Sequence, residues 1–473
     1  MITIFFNRES KIPMYEQLYR YIKKLIHLNE LFANEKMPSK RKLATHLKIS
    51  QVTVESAYQQ LLAEGYLRSI PKSGFYVEPS VHHFFDDHSQ PKEETTSQKP
   101  KKEIYLYDFK TNVVDSRNSP YNSWVKLEKE VVLETQIDLI NQMDSQGVKP
   151  LREQIASYLY QFRGIKTTPD RIIVGAGSEF LIGLLILILG KESEYALEDP
   201  GYTKIQKLYQ AYGAKTNYIF LDEQGFSLEL LKQTKANIIH VSPSHQFPSG
   251  KVIPIARRIA LLKWAQEKDN RYIIEDDYDS EFRFSGNPIP AMQGLDYNGK
   301  VIYLNSFSKS IAPTLRISFM VLPESLLHEY NTKFKFISNT VPVLNQLILS
   351  RFIEKGLFER HLNKMKGIYK EKRNTFIELI KHSKFGPVCK VIGEEAGLHF
   401  LLEFPNNVSE EWLIERAKKE KIRIYGLKEY FNCKTNRPEF PAIVMGYSNF
   451  LENDFISAIK LLERAWKKTY EII

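Results

Sequence analysis

Residues Val301 to Val321 read VIYLNSFSKSIAPTLRISFMV, and this stretch decides the fold. Its opening, Val301 to Leu304, is short and rich in β-branched and aromatic side chains, as a buried strand requires. The strand gives way to Ser306-Phe307-Ser308-Lys309, and Arg316 follows before the chain turns apolar again. A lysine whose amine attacks an aldehyde needs a lowered pKa and a fixed position. Hydroxyls and a guanidinium close by are the donors that a bound phosphate requires. An isolated SxSK is more often a surface turn. Four other segments, met in order along the chain, reverse that balance.

Upstream, Arg271 to Phe284 reads RYIIEDDYDSEFRF. Tyr272, Ile273 and Ile274 have the character of a buried parallel strand, with Glu275, Asp276, Asp277 and Asp279 at its C-terminal end. Ligands of open α/β sheets bind at that end. A carboxylate there can keep a pyridinium nitrogen protonated, which pyridoxal chemistry demands. Tyr278 is placed to hydrogen-bond a phenolic oxygen. An acidic cluster after a strand can also be a metal site or a solvated loop. No His or Cys stands within this one and no phosphate-loop motif accompanies it, so no metal is expected.

Arg171 to Leu189, RIIVGAGSEFLIGLLILIL, reads as a strand, a Gly-x-Gly-Ser turn and an apolar helix. Backbone N–H groups of Gly177, Ser178 and Glu179 at that helix start form an anion site. The apolar run is too short to span a bilayer and is expected in the core. Glu198-Asp-Pro-Gly-Tyr202 brings an aromatic ring after a turn, suited to stacking on a flat heterocycle. Ser242 to Gly250, SPSHQFPSG, is a Pro/Gly-punctuated loop after the strand Asn237 to Val241.

These segments resemble the aminotransferase fold of pyridoxal-phosphate enzymes over residues 105–473. The resemblance implies that Lys309 forms an imine with the cofactor aldehyde, that Asp276 faces the ring nitrogen, that Tyr278 meets the phenolic oxygen and that Tyr202 stacks on the ring. It assigns the phosphate to Ser306, Ser308, Arg316, Gly177 and Ser178. The expected fold class is α/β: a mixed, mostly parallel sheet with helices on both faces, running to about residue 321, then a small C-terminal α+β subdomain.

Residues 1–79 have a different character. From Pro13 to Leu31 the apolar residues Tyr15, Leu18, Tyr19, Ile22 and Ile26 recur at helical spacing. Pro38 and Ser39 open a second helix, and Ser50 caps a third just beyond Leu47. Two short helices on so tight a turn are helix-turn-helix geometry. Gly65 to Val77 reads as two strands around Lys72-Ser73-Gly74, a wing. Lys40, Arg41, Lys42, Arg68 and Lys72 are expected to face phosphate, and Gln51, Val52 and Thr53 open the recognition helix toward base edges. The expected DNA-binding set is Ser39, Lys40, Arg41, Ser50, Gln51, Thr53 and Lys72.

The PSxR-x-LA…S-x-x-T-V-x-x-A-Y-x-x-L…G-Y-L pattern resembles the GntR-type winged helix. This chain departs from it at Gln51, where the family usually carries Arg, and Glu55 adds a negative charge to the same helix. A winged helix of this type ahead of an aminotransferase-like domain is the arrangement of the MocR/GabR group of bacterial transcription regulators. The resemblance implies a homodimer on double-stranded DNA, with pyridoxal 5'-phosphate, or an amine or amino acid, as effector.

Composition agrees. The 473 residues suffice for one small and one large domain, and 43% hydrophobic and 12% aromatic content suits folded protein. The net charge of +10 is spread along the chain and favours a polyanionic partner only mildly. Cys389 and Cys433 show no metal spacing and suit a reducing compartment. The short apolar start, MITIFF, becomes charged too soon for a signal peptide, and no membrane segment is visible. A cytoplasmic address is expected. Residues 80–104, polar and aperiodic, read as a flexible linker, with His82, His83 and His88 as solvated linker residues.

Sequence also bears on turnover. In transaminases a bidentate arginine holds the substrate carboxylate. The position matching it, in the strand Ala442-Ile-Val-Met-Gly-Tyr447, is Val444. The family's Tyr-Gly-Asp-Pro-Gln-Gly interface motif appears as Gln142-Met-Asp-Ser-Gln-Gly147, and His245-Gln246-Phe247 stands where an Asn usually touches the phenolic oxygen. Lys204 and Arg423 are the cations left to replace the missing arginine. The expectation is a regulator that senses pyridoxal phosphate, possessing no steady transaminase turnover; a working aminotransferase with an accessory DNA-binding module is the alternative.

Overall fold

The computed structural model describes residues 2–7, 10, 12–79, 104–111, 113–134, 143–285, 289–405, 407–433 and 440–470. The expected linker falls outside the described residues except for Ile104, as do Gln142 and the three linker histidines. The chain divides into two units, residues 1–103 and 104–473.

In the first unit, α1 (Met14–His27), α2 (Lys40–Leu47) and α3 (Gln51–Ala63) precede a hairpin of β1 (Leu67–Ile70) and β2 (Gly74–Val77). α1 stops at His27, short of Leu31, because Leu28 closes the last turn and Asn29 takes a left-handed φ of 55°. Ser39 and Ser50 start the next two helices by accepting hydrogen bonds from the N–H groups of Lys42 and Thr53, each cap being worth about 1 kcal/mol. Leu18 and Ile22 of α1, Leu43 of α2 and Val54, Tyr58 and Leu61 of α3 bury together against Leu67 and Val77 of the hairpin. Tyr58 keeps its hydroxyl satisfied on the carbonyl of Pro38 at 2.9 Å. At the wing tip Lys72 has a φ of 61°.

In the second unit β3 (Tyr107–Asp108) pairs with β14 (Ile422–Arg423), and the unit is built on an eight-stranded sheet in the order β4 (Ile172–Gly175), β11 (Ser318–Val321), β10 (Val301–Ser306), β9 (Tyr272–Asp277), β8 (Ile238–Val241), β5 (Glu194–Asp199), β6 (Lys215–Asp222) and β7 (Gly225–Phe226). Its central strands β5 (Glu194–Asp199), β6 (Lys215–Asp222), β8 (Ile238–Val241), β9 (Tyr272–Asp277) and β10 (Val301–Ser306) run parallel. The stretch 301–321 is a strand pair within this sheet: β11 (Ser318–Val321) returns antiparallel to β10 and joins β4 (Ile172–Gly175). β10 is buried from Val301 to Asn305 because both faces of the sheet carry helices. The apolar helix Ser178–Leu189 packs on one face with Ile274, Ile302 and Leu304 in its core. A second sheet, in the order β12 (Lys390–Ile392), β13 (His399–Glu403), β16 (Ala442–Gly446) and β15 (Tyr425–Gly426), forms the C-terminal subdomain with the helix Leu357–His382 and the helix Glu452–Ala465. Among the described residues no helix is long and apolar enough to cross a membrane.

Candidate functional site

The C-terminal ends of the parallel strands open onto a cavity of about 250 Å³, placed where an open α/β sheet binds ligands. Its wall includes Ser178, Tyr202, Asp276, Tyr278, Ser306, Ser308, Lys309 and Arg316. Eight of the nine residues expected to serve the cofactor therefore meet at one place, from four separate segments. The ninth, Gly177, lies directly beneath: a Cβ built there would stand 2.2 Å from Nη2 of Arg316. Its N–H donates to the carbonyl of Gly175 at 2.8 Å, so Gly177 serves the site by lacking a side chain.

Lys309 lies past the end of β10 with part of its surface open to the cavity. Burial pushes its amine down to about 8, against the pull of the Asp279 charge. The amine sits 5.7 Å from the centre of the Tyr278 ring. Burial, with the neighbouring carboxylates, pushes the Tyr278 hydroxyl well up, so it stays a neutral donor. Ser306 and Ser308 bond to each other at 2.8 Å. Arg316 adopts a left-handed backbone, φ 53°, and its guanidinium donates to the carbonyl of Ala176 at 3.2 Å and to Glu179 at 2.6 Å.

Asp276 and Asp277 are neighbours with opposite surroundings, because successive strand residues point to opposite faces. Asp276 faces the cavity with Oδ2 3.4 Å from Nε2 of His240, whose Nδ1 lies 2.9 Å from the Tyr209 hydroxyl. Asp277 pairs with Arg163 on the far side. Five side chains take contacts that the sequence did not assign to them: His240, Glu179, Glu198, His245 and Asp279. His245 Nδ1 lies 2.9 Å from Asp279 and 3.0 Å from the Tyr278 hydroxyl, in the loop where the Asn was missing. Glu198, buried in the cavity wall, is pushed up to about 8 by that burial. Their partners lie far off in sequence: 36 positions separate His240 from Asp276, 34 separate His245 from Asp279, and 137 separate Glu179 from Arg316.

Val444 is fully buried, in a cluster with Phe247, Leu401, Leu427 and Tyr430. Arg423 stacks on Tyr105 and Tyr425 at 5.7 and 5.3 Å and is not part of the cavity wall. Lys204 does line the cavity, paired with Glu179. Of the two cations expected to replace the arginine, only Lys204 is in reach.

In the first unit, Arg41, Gln51 and Lys72 are exposed, while Thr53 is half-buried. The Ser39 and Ser50 hydroxyls are engaged in the caps. Lys40 pairs with Glu55 at 2.5 Å, so the negative charge that Glu55 adds to the recognition helix engages one of the expected phosphate contacts.

Residues 14–77 match the family of bacterial regulatory proteins of the gntR family, and residues 107–440 match aminotransferase class I and II. The chain is 38% identical to the HTH-type transcriptional regulator YdeL of Bacillus subtilis (strain 168), over 98% of this chain and 99% of that one. It is 29% identical to the probable rhizopine catabolism regulatory protein MocR of Rhizobium meliloti, over 97% and 95%. The chain belongs to the MocR/GabR-type regulators. Another relative of this regulator is the HTH-type pyridoxine biosynthesis transcriptional regulator PdxR of Corynebacterium glutamicum, 29% identical over 79% of this chain and 80% of that one. Its larger unit shares the fold of solved aminotransferases: the Pyrococcus horikoshii kynurenine aminotransferase gives a TM-score of 0.66 at 24% identity, over 78% of this chain and 92% of that one. This MocR/GabR-type regulator thus carries a DNA-binding fold ahead of an aminotransferase fold.

Proposed function

We propose that this regulator takes pyridoxal 5'-phosphate as the effector of its aminotransferase-like domain, with Lys309 as the attachment residue. The observation that carries the reading is the convergence of Lys309, Asp276, Tyr278, Tyr202, Ser306, Ser308 and Arg316 on one cavity. The donor set fits such a group, and the cradle under Arg316 that a Cβ would fill fits its phosphate end. Bound there, the group supplies an aldehyde and a ring that acts as an electron sink when its nitrogen is protonated.

The chain's own residues have distinct tasks. Burial keeps a share of the Lys309 amine neutral, the form that can attack an aldehyde. Asp276 holds a proton at the ring nitrogen, and His240 with Tyr209 orients that carboxylate. The Tyr278 hydroxyl, set by His245, serves the phenolic oxygen. Tyr202 flanks the ring. Ser306, Ser308, Arg316 and the helix start at Ser178, over Gly177, hold the phosphate.

Sensing accounts for the site better than turnover. An amino acid's carboxylate needs a bidentate cation, and Val444 puts an apolar cluster in its place. The pyridoxine-biosynthesis regulator among the relatives supports control of vitamin B6 genes, with amino-acid metabolism the second class of target. On DNA, α3 would present Gln51 and Thr53 to base edges while Arg41 and Lys72 meet phosphates. A homodimer, located in the cytoplasm with its operator, would read paired half-sites. The effector regulates only through a difference in affinity between two arrangements of the protein.

The test uses the full chain. Incubation with pyridoxal phosphate should produce the visible absorbance of a lysine-bound pyridoxal, absent in Lys309→Ala, and should change the footprint on the promoter beside its own gene. An unchanged footprint in the presence of that absorbance would remove the effector role. Steady exchange between an amino acid and a keto acid at about 1 s⁻¹ or faster would favour the aminotransferase reading instead.

A further inference from the structure

The chain brings its own anion to the donors assigned to the phosphate. Glu179 is the second residue of the helix Ser178–Leu189. Its Oε2 lies 2.6 Å from Nη2 of Arg316, and its Oε1 pairs with Nζ of Lys204. Both carboxylate oxygens are thus engaged by cations, at a helix start whose dipole favours negative charge. Burial by itself would raise the Glu179 carboxyl; the hydrogen bonds from Lys204 and Arg316 outweigh it and hold the group at about 2.

The Arg316 guanidinium also donates to the Ala176 carbonyl at 3.2 Å. A Cβ on Gly177 would meet Nη2 of Arg316 at 2.2 Å and Oε2 of Glu179 at 2.7 Å, so guanidinium and carboxylate lie together on the bare Gly177 backbone. A phosphate that reaches Arg316 at this spot meets the carboxylate first. It must take Nη2 from Glu179 and then lie beside a second negative charge.

We propose that Glu179 is an affinity-setting residue for the phosphate subsite: its carboxylate competes with a ligand phosphate for Arg316 and retreats to Lys204 when the phosphate arrives. This rests on the reading of Lys309 and its neighbours as a pyridoxal-phosphate site. The competition makes the ligand exchangeable, which a sensor needs and a permanently loaded enzyme does not. It also gives Lys204 a task other than replacing the missing substrate arginine: it holds the displaced carboxylate.

The experiment separates the two ideas by removing the imine chemistry. Full-length Lys309→Ala and Lys309→Ala/Glu179→Gln are titrated with inorganic phosphate by calorimetry in phosphate-free buffer. Gln keeps the shape and loses the charge, and phosphate should bind roughly tenfold more tightly, the worth of one charge-assisted hydrogen bond. With Lys309 intact, Glu179→Gln should release pyridoxal phosphate about tenfold more slowly by the same reckoning. Equal or weaker phosphate binding in the Gln variant, or none to either protein, overturns the proposal. The lysine-bound absorbance of the wild type reports separately on whether the cofactor reading stands.

Discussion

Asp277 and Arg163 form an ion pair of 2.8 Å in which both side chains are almost wholly removed from solvent. Asp277 also accepts from the Tyr303 hydroxyl at 2.5 Å, and Arg163 donates to Ser244 and to the carbonyl of Ile289. The network ties β9 and β10 to the helix Lys149–Arg163 and to the loop after β8, directly behind the strand end that presents Asp276. Removing one partner leaves the other charged and buried. Arg163→Met should therefore cost about 3–5 kcal/mol, read as a lower urea midpoint. A loss below about 1 kcal/mol would mean that water reaches the pair.

The Lys309 amine titrates near 8 because burial disfavours its charge. Its neutral fraction is then about one in ten at pH 7, against less than one in a thousand for an ordinary lysine. The rate of absorbance growth with added pyridoxal phosphate should climb from pH 6.5 and level off above about 9. A rate still rising steeply at pH 10 would place the amine in ordinary solvent.

Gly177 has a φ of 91° and lies against Arg316, whereas Gly190, at the other end of the same helix, has a φ of 84° and open space around it. Both positions penalise a side chain through the backbone by about 1–3 kcal/mol. Only Gly177→Ala should also abolish phosphate and pyridoxal-phosphate binding. Comparable binding in folded Gly177→Ala and Gly190→Ala proteins would show that the guanidinium is free to move aside.

Glu55 occupies Lys40 at the face of the winged helix. Glu55→Gln should free that amine, tighten operator binding and steepen the dependence of log affinity on log salt by about one. An unchanged slope in a filter-binding series would take Lys40 off the phosphate backbone.

Much of this was legible in the chain because the relevant signals are local. The caps at Ser39 and Ser50, the helical spacing of α1 and the strand–turn–helix around Gly177 each depend on a few adjacent residues, and each formed as read. The return strand β11 and the end of α1 at His27 were less legible, since pairing partners and the turn at Asn29 decide them. Within the site, the lysine, the acids and the serines announced themselves. The partnerships of His240 with Asp276, Glu198 with Ser242 and His245 with Asp279 did not, because each joins residues more than 30 positions apart.

The order of residues alone determined that two kinds of unit share this chain, and that the larger one has a lysine, strand-end acids and serines close to an arginine in sequence. That much follows from short-range periodicity and residue chemistry. Which acid faces the cavity, which cation lines it and what Arg316 holds were decided only by tertiary structure. The pleat of β9 sends Asp276 and Asp277 to opposite faces, and crossover connections set Glu179 against Arg316 across 137 positions of sequence. Distance in space, and the dielectric that burial creates, cannot be read along the chain.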